Sequence, residues 1–202
     1  VNLSTSADIS YRILPAPHFL IKNSKILVDN VEKEKSIAEI KNFKVFLSQK
    51  NLFDKKKVNI KKIVIDGANF SILRHDLKLL DEITSKNFSN KKIRINNSNI
   101  FFKDNSEEII SIIKVNKAVL FFDNKRLLNF INLNGEIFNV PFVFNFNSRN
   151  NSKKYKVINF NSKLLKLNIS NKSVSTKKLT SGENNILFSK SPQEWRRTKN
   201  FS

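Results

Sequence analysis

A short phrase that occurs three times constrains this chain more than any other feature. The copies are Ile21–Val28, Ile65–Ile72 and Ile95–Phe102. Each reads apolar, polar, Asn or Gly, Ser or Ala, polar, apolar, any residue, apolar. The third position tolerates a turn or bulge, and the last three positions alternate as in a β-strand. Because the register is constant, every copy should direct its apolar residues to one common face, and the recurrence predicts an elongated sheet built by repetition.

Most of the remaining chain also alternates between apolar and polar residues. This period predicts strands near residues 19–28, 37–47, 58–72, 93–102, 109–122, 127–138, 142–146, 155–160 and 164–169. Periodicity alone is ambiguous for 109–122, where the β-branched content favours a strand. Asp76 is predicted to cap one short helix, because Leu77, Leu80 and Ile83 follow helical spacing. The chain is therefore predicted to be mainly β.

Composition sets the outer limits of the interpretation. The 202 residues suffice for one all-β domain, and an apolar content of 40% can form a core. The absence of Cys excludes disulfides and thiolate metal sites. The chain contains no Met and opens with Val1, so we interpret it as a segment of a larger protein. No stretch approaches the ~18–20 consecutive apolar residues of a membrane-spanning helix, and no signal peptide is recognisable at the start.

The formal charge of +20 is carried mainly by Lys, with only seven Arg among 37 basic residues. Arg is the usual residue for bidentate contacts to phosphates and bases. Asn, Ile and Phe are abundant together with Lys, and AT-rich codons of a low-GC genome account for all four. We therefore interpret the Lys residues as a solvated face and predict no nucleic-acid partner. Weak attraction to anionic lipid and nucleic-acid binding are the alternatives.

Several segments, taken in order, resemble the blocks of an AsmA-like domain. The opening is a Pro-x-Pro start followed by a patterned strand, and a leucine turn and an I-x-x-I-x-I-x-G strand come next. A second block is a strand followed by an L-x-G-x…P-h-x-h hairpin. The matching segments are 15–21 with 37–48, 52–53 with 58–68 and 72–74, 93–104, 133–136 and 141–144. Asn97 stands where the family usually has Gly, and Asn also tolerates a positive φ.

The resemblance covers roughly residues 10–170, so residues 1–170 are predicted to form an AsmA-like β-groove domain. Residues 171–202 are predicted to be a polar tail of edge strands or loop. The resemblance implies an elongated, curved antiparallel sheet, a taco-like groove or half-barrel with an apolar interior. It also implies a periplasmic protein that an upstream helix, outside this chain, anchors to the inner membrane. The implied role is phospholipid transport between membranes and outer-membrane assembly, with a phospholipid or other acyl lipid as ligand and outer-membrane assembly factors as possible partners.

The candidate groove residues are the apolar members of the alternating strands. They are Ile21, Ile26, Val28, Phe43, Val45, Ile65, Phe70, Ile72, Ile95, Ile100, Phe102, Phe142, Phe144 and Phe146. The same residues could instead fill the closed core of an ordinary β-sandwich that serves as a spacer in an envelope protein. The sequence leaves open whether this face is covered by a partner sheet or exposed to lipid.

Catalysis finds little support in the sequence. His18 and His75 are the only imidazoles, and neither belongs to a metal-ligand spacing. The adjacent carboxylates at 81–82 and 107–108 are interpreted as solvated charges. No nucleophile elbow, phosphate-binding loop or dinucleotide fingerprint is present. We therefore expect no enzymatic activity, no metal and no cofactor.

Overall fold

A computed structural model of the chain describes residues 2–4, 8–30, 33–49, 59–76, 84, 86–150, 154–176, 179–189 and 197–201. Within these residues the chain forms a 13-stranded sheet. The strands are β1 (Asn2–Ser4), β2 (Ile9–Arg12), β3 (His18–Asn30), β4 (Lys33–Leu47), β5 (Ile60–Leu73), β6 (Lys92–Lys103), β7 (Ile109–Asp123), β8 (Leu128–Ile137), β9 (Val140–Asn150), β10 (Lys154–Ser162), β11 (Leu167–Ser175), β12 (Thr180–Phe188) and β13 (Arg197–Phe201).

From β3 to β13, each strand pairs with the next one along the chain, while β1 and β2 both pair with β3. The sheet is open and curved, which confirms the predicted mainly β fold. One pairing differs from an all-antiparallel sheet, because β5 and β6 run parallel. Parallel neighbours require a crossover connection, and residues 74–91 supply it. A turn of 3-10 helix, Arg74–Asp76, opens this connection.

The predicted strand at 164–169 is wrong at its start. Residues 163–166 form the turn between β10 and β11, and Lys166 adopts a positive φ of 50° there. Leu164 and Leu165 are exposed at this turn, at 64% and 52%. The turn contains no Gly, Pro, Asn or Asp, so the residue types that usually mark a turn were missing from the sequence.

A row of irregular positions crosses the sheet at the third residue of each repeated phrase. Asn23, Gly67 and Asn97 have φ values of 51°, 69° and 47°. The register places Gly67 beside Asn97 and opposite Lys41, which in turn lies opposite Asn23. These positive φ values confirm that the third position of the phrase serves as a kink. We call this row of positions the kink row.

Along each strand, the spacing between successive apolar residues changes from two to three at the kink row. The kink compensates for this change, so the apolar residues on both sides of it stay on one face. Ile65 and Ala68 flank Gly67, and both belong to one packed cluster together with Ala38 and Ile40 of β4. The Ser98 hydroxyl accepts a hydrogen bond from the Ala68 amide at 3.0 Å, which satisfies a donor beside the kink. The same hydroxyl donates to the Asn96 carbonyl at 2.7 Å. Small residues at the fourth position of the phrase therefore allow close packing. Ser98 also completes the hydrogen bonding beside its kink, whereas the buried Ser24 hydroxyl has no hydrogen-bond partner among the described residues.

A substitution pair at Gly67 tests this account of the phrase. Gly67→Asn is expected to be nearly neutral, because Asn already occupies the same backbone conformation at positions 23 and 97. Gly67→Val is expected to lower the free energy of unfolding by about 1–3 kcal/mol, since β-branched residues are strained at positive φ. Urea unfolding of both variants measures the difference. Equal losses for Asn and Val would contradict the kink assignment and point to a lack of space beside Lys41.

Two further predictions concerned a short helix after Asp76 and a polar tail after residue 170. The predicted helical residues Leu77, Leu80 and Ile83 lie outside the described residues, and the Asp76 carboxylate accepts a hydrogen bond from the Leu73 amide at 3.0 Å. The polar segment after residue 170 contains the end of β11 and the strands β12 and β13, which continue the same sheet. In the described ranges no helix is long and apolar enough to cross a membrane.

Candidate functional site

The strand register divides the sheet into an apolar face and a polar face. Residues directly opposite each other on paired strands share a face, so each face can be followed from strand to strand. One row on the apolar face, which we call the central row, runs from β3 to β12. Its members are Ile21, Phe43, Ile65, Ile95, Ala118, Leu133, Phe144, Phe160, Ile169 and Ile186. With neighbouring strands ~4.8 Å apart, this row extends for roughly 40 Å along the sheet.

Further apolar rows flank the central row. One consists of Phe19, Val45, Ile63, Ile93, Leu120, Ile131, Phe146 and Ile158. Another consists of Ile26, Ala38, Phe70, Ile100, Ile113 and Ile137. The rings of Phe142 and Phe160 stack with their centroids 5.0 Å apart. The apolar face is therefore a broad continuous surface.

Most large side chains on the apolar face are half-buried, although a few are fully buried. Phe146 retains 5% of its exposure and Phe142 retains 9%, while Phe144 and Phe160 between them are half-buried. All strands in the described part of the chain belong to one sheet. No second sheet of described residues therefore covers this face. In the described ranges the apolar face is uncovered except at one margin, where the end of the crossover connection contacts Asn129 and Ser148.

The crossover connection contacts one margin of the apolar face through polar groups. Asn129, which is 0% exposed, accepts a hydrogen bond from the Phe88 amide at 2.8 Å and donates to the Lys86 carbonyl at 2.8 Å. Its amide also donates to the Ser148 hydroxyl at 3.2 Å, and Ser148 donates to the Thr84 carbonyl at 3.4 Å. These contacts fix the end of the crossover against β8 and β9.

The opposite, polar face carries amides and lysines. Asn132, Asn145, Asn159, Ser170 and Asn185 lie in one row across β8 to β12. Asn132 donates to Asn145 at 2.7 Å within this row. On β5 and β6, Lys62 and Lys92 lie side by side, each over an aromatic ring at 4.5 Å and 5.1 Å. This face is mixed, because Phe46, Phe121 and Phe130 lie on it beside the lysines and amides.

The predicted groove residues whose side chains are described all lie on the apolar face. Val28 is in β3, but its side chain lies outside the described part of the chain. The sequence interpretation missed the members of the central row on β7, β8 and β10 to β12. These are Ala118, Leu133, Phe160, Ile169 and Ile186. Their alternation was visible, but only the register shows that they continue the same row.

His18 has a structural role. Its ring is 4% exposed, stacks on Phe46 at 4.8 Å, and its Nδ1 contacts the Ala16 carbonyl oxygen at 2.7 Å. The His75 side chain and residues 81–82 lie outside the described residues. The described residues contain no group of three or more potential metal ligands.

In the loop between β6 and β7, hydrogen bonds hold the pKa of the Asp104 carboxyl below its usual value. The Ser106 hydroxyl donates to Asp104 at 2.8 Å, and the amides of Ser106 and Glu108 donate to the same carboxylate at 2.9 Å. The Ser106 hydroxyl contributes most to lowering the pKa of Asp104, and the two amides add to it. Glu107 and Glu108 are exposed in this loop. The arrangement is that of an ordinary capped turn.

Comparison with known proteins gives no assignment for this chain. It matches no model of a known protein family and no curated protein sequence.

Proposed function

We propose that this chain is a lipid-handling β-groove segment of an AsmA-like cell-envelope protein. The supporting observation is the central row, an uninterrupted line of apolar side chains from β3 to β12 on a face without a described covering layer. Side chains crowd on the inner side of a curved sheet, and the buried cluster around Ala68 lies on the apolar face. We therefore take the apolar face as the inside of the groove.

The dimensions and energetics of this face suit an acyl chain. A lipid tail occupies about 15 Å, half of the ~30 Å hydrocarbon core of a bilayer. The central row, at roughly 40 Å, is long enough for more than one tail placed end to end. Each buried methylene contributes about 0.8 kcal/mol, so a continuous apolar surface can hold a tail outside the membrane. No covalent chemistry is needed for this function.

The resemblance adds a cellular setting to the proposal. A groove of this kind, anchored to the inner membrane by a segment outside this chain, carries phospholipid across the periplasm and contributes to outer-membrane assembly. The polar face, with its row of Asn residues and its lysines, stays hydrated during this process. In this proposal the chain provides an apolar path for lipid along the groove and catalyses no reaction.

Native mass spectrometry with lipid extraction tests the proposal on protein expressed in a Gram-negative host. The purified chain is expected to carry bound phospholipid. Phe144→Asp is expected to remove most of it, because residue 144 lies in the central row between Leu133 and Phe160. Val143→Asp is the matched control, since Val143 lies next in the chain but on the polar face and is 38% exposed. The control is expected to retain the lipid.

Circular dichroism of both variants tests whether the sheet remains folded. Lipid-free wild-type protein with a cooperative unfolding transition contradicts the groove and favours a purely structural module. Equal lipid loss in both variants places the lipid elsewhere on the surface. Retention of the lipid by folded Phe144→Asp protein also counts against the central row as its binding site.

A further inference from the structure

The two margins of the sheet, where strands end and turns connect them, differ in charge. We call the margin at the β7–β8 turn the basic rim and the margin at the β8–β9 turn the opposite rim. Exposed cations at the basic rim include Arg12, Lys61, Lys92, Lys125, Arg126 and Arg149. Among the described strand ends and turns of the basic rim, the acidic residue is Asp123, at the end of β7.

Asp123 leaves most of this positive charge unbalanced. Its carboxylate accepts hydrogen bonds from the amides of Lys125 and Arg126, so it is engaged in shaping the turn. The Arg126 side chain is 79% exposed, and its Nε lies 4.0 Å from the carboxylate. Arg149 donates to the backbone carbonyl of Arg126 at 3.2 Å, a contact that holds the Arg149 guanidinium at the turn without neutralising its charge. Among the described residues, the basic rim therefore carries a net positive charge.

The opposite rim has a balanced charge. Lys103 and Lys114 lie near the loop and turn that carry Asp104, Glu107 and Glu136. The Lys114 ammonium group contacts the Asn139 side chain at 3.5 Å. Of the two rims, the basic rim therefore carries the excess of positive charge among the described residues, which gives this part of the molecule an electrostatic orientation.

Exposed leucines accompany the cations on the basic rim. Leu127 is 52% exposed in the β7–β8 turn, immediately after Lys125 and Arg126. Leu14, next to the start of β3, is 81% exposed. Apolar tips flanked by cations match the interface of an anionic bilayer, where phosphates bind the cations and the leucines enter the acyl boundary. The opposite rim also has exposed apolar tips, Phe138 at 75% and Leu164 at 64%, so the net positive charge is what distinguishes the basic rim. Aliphatic tips have no aromatic surface for the base stacking that favours single-stranded nucleic acid.

We propose that the basic rim docks on the surface of an anionic lipid bilayer, with the Leu127 turn entering the interface. The rim runs across the strand ends and therefore parallel to the central row. Docking in this way places the apolar row along the membrane surface. This inference uses charges and turns that the groove does not use, so it stands or falls separately from lipid binding in the groove.

Vesicle flotation tests the charge requirement. The chain is expected to float with vesicles of phosphatidylcholine and phosphatidylglycerol and not with vesicles of phosphatidylcholine alone. The triple variant Lys125→Glu, Arg126→Glu, Arg149→Glu is expected to lose at least about a hundredfold in affinity, since each basic residue contributes roughly fivefold. The matched triple Lys103→Glu, Lys114→Glu, Lys163→Glu changes the net charge equally on the opposite rim, and its affinity is expected to stay clearly higher.

A pair of turn variants tests insertion. Leu127→Asn keeps the backbone, because residue 127 has a φ of 54° that Asn accepts, and it is expected to weaken binding several-fold. Phe138→Asn is the control on the opposite rim, where φ is 50° and the side chain is 75% exposed. This control is expected to bind like the wild type.

Several results would overturn the proposal. They are equal losses for the two triple variants, equal binding to neutral vesicles, and no effect of Leu127→Asn. Tighter binding of a single-stranded oligonucleotide than of anionic vesicles would instead indicate a nucleic-acid surface. Phe144→Asp is expected to retain vesicle flotation, so loss of groove lipid and loss of docking are separate outcomes.

Discussion

Asn129→Ala is expected to lower the free energy of unfolding by about 3 kcal/mol. Asn129 is fully buried in β8 and joins the crossover connection to the sheet through the Phe88 amide and the Lys86 carbonyl. Alanine leaves these backbone groups and the Ser148 hydroxyl without the amide partner. For a chain of this size, such a loss corresponds to a fall in Tm of about 6–12 °C. Thermal unfolding followed by circular dichroism measures it.

Asn132→Ala is the matched control for Asn129→Ala. Asn132 lies in the same strand on the polar face, and its hydrogen bond to Asn145 spans 2.7 Å in a half-buried position. Solvent can replace that bond, so the expected loss is about 1 kcal/mol or less. Hydrogen exchange adds a local test, because the amides of residues 86–89 should exchange faster in Asn129→Ala only. Equal destabilisation of both variants would show that Asn129 does not anchor the crossover specifically.

The repeated phrase made the common face predictable from the sequence. Its third position required a residue that tolerates positive φ, and its constant register tied Ile65, Ile95 and Ile21 to one face. These are local rules of backbone conformation and alternation, which act within a few residues. At 109–122, where the periodicity was ambiguous, the β-branched content predicted the strand that the structure has.

Features that depend on distant parts of the chain were not predictable in the same way. The parallel pairing of β5 and β6 depends on the path of the crossover, and the polar contacts of Asn129 join positions more than 40 residues apart. The central row on β10 to β12 requires the register of several hairpins in succession. A shift of one residue in any hairpin reverses the faces of the following strand, so the row could not be extended there from alternation alone.

Gly135→Ala is expected to be among the most destabilising single-methyl additions in the described sheet. Gly135 lies on the apolar face of β8, opposite Val115 of β7 and Phe142 of β9. β7 carries one extra residue, Asn116, at this point, and the irregularity brings the Lys114 carbonyl oxygen into the space that a Cβ at 135 needs. The overlap is with backbone, so a side-chain rotation cannot relieve it, and β7 and β8 must move apart.

The expected loss for Gly135→Ala is about 2–3 kcal/mol, comparable to overpacking a close-packed core. Gly182→Ala is the matched control, because its added Cβ meets the Lys172 carbonyl at 3.0 Å in the exposed strand β12. That contact requires a smaller shift near the edge of the sheet, and the expected loss is about 1 kcal/mol or less. Urea unfolding of the two variants gives the comparison. A loss at Gly182 that equals or exceeds the loss at Gly135 would contradict the close approach of β7 and β8, and with it the geometry that holds the central row continuous between Ala118 and Leu133.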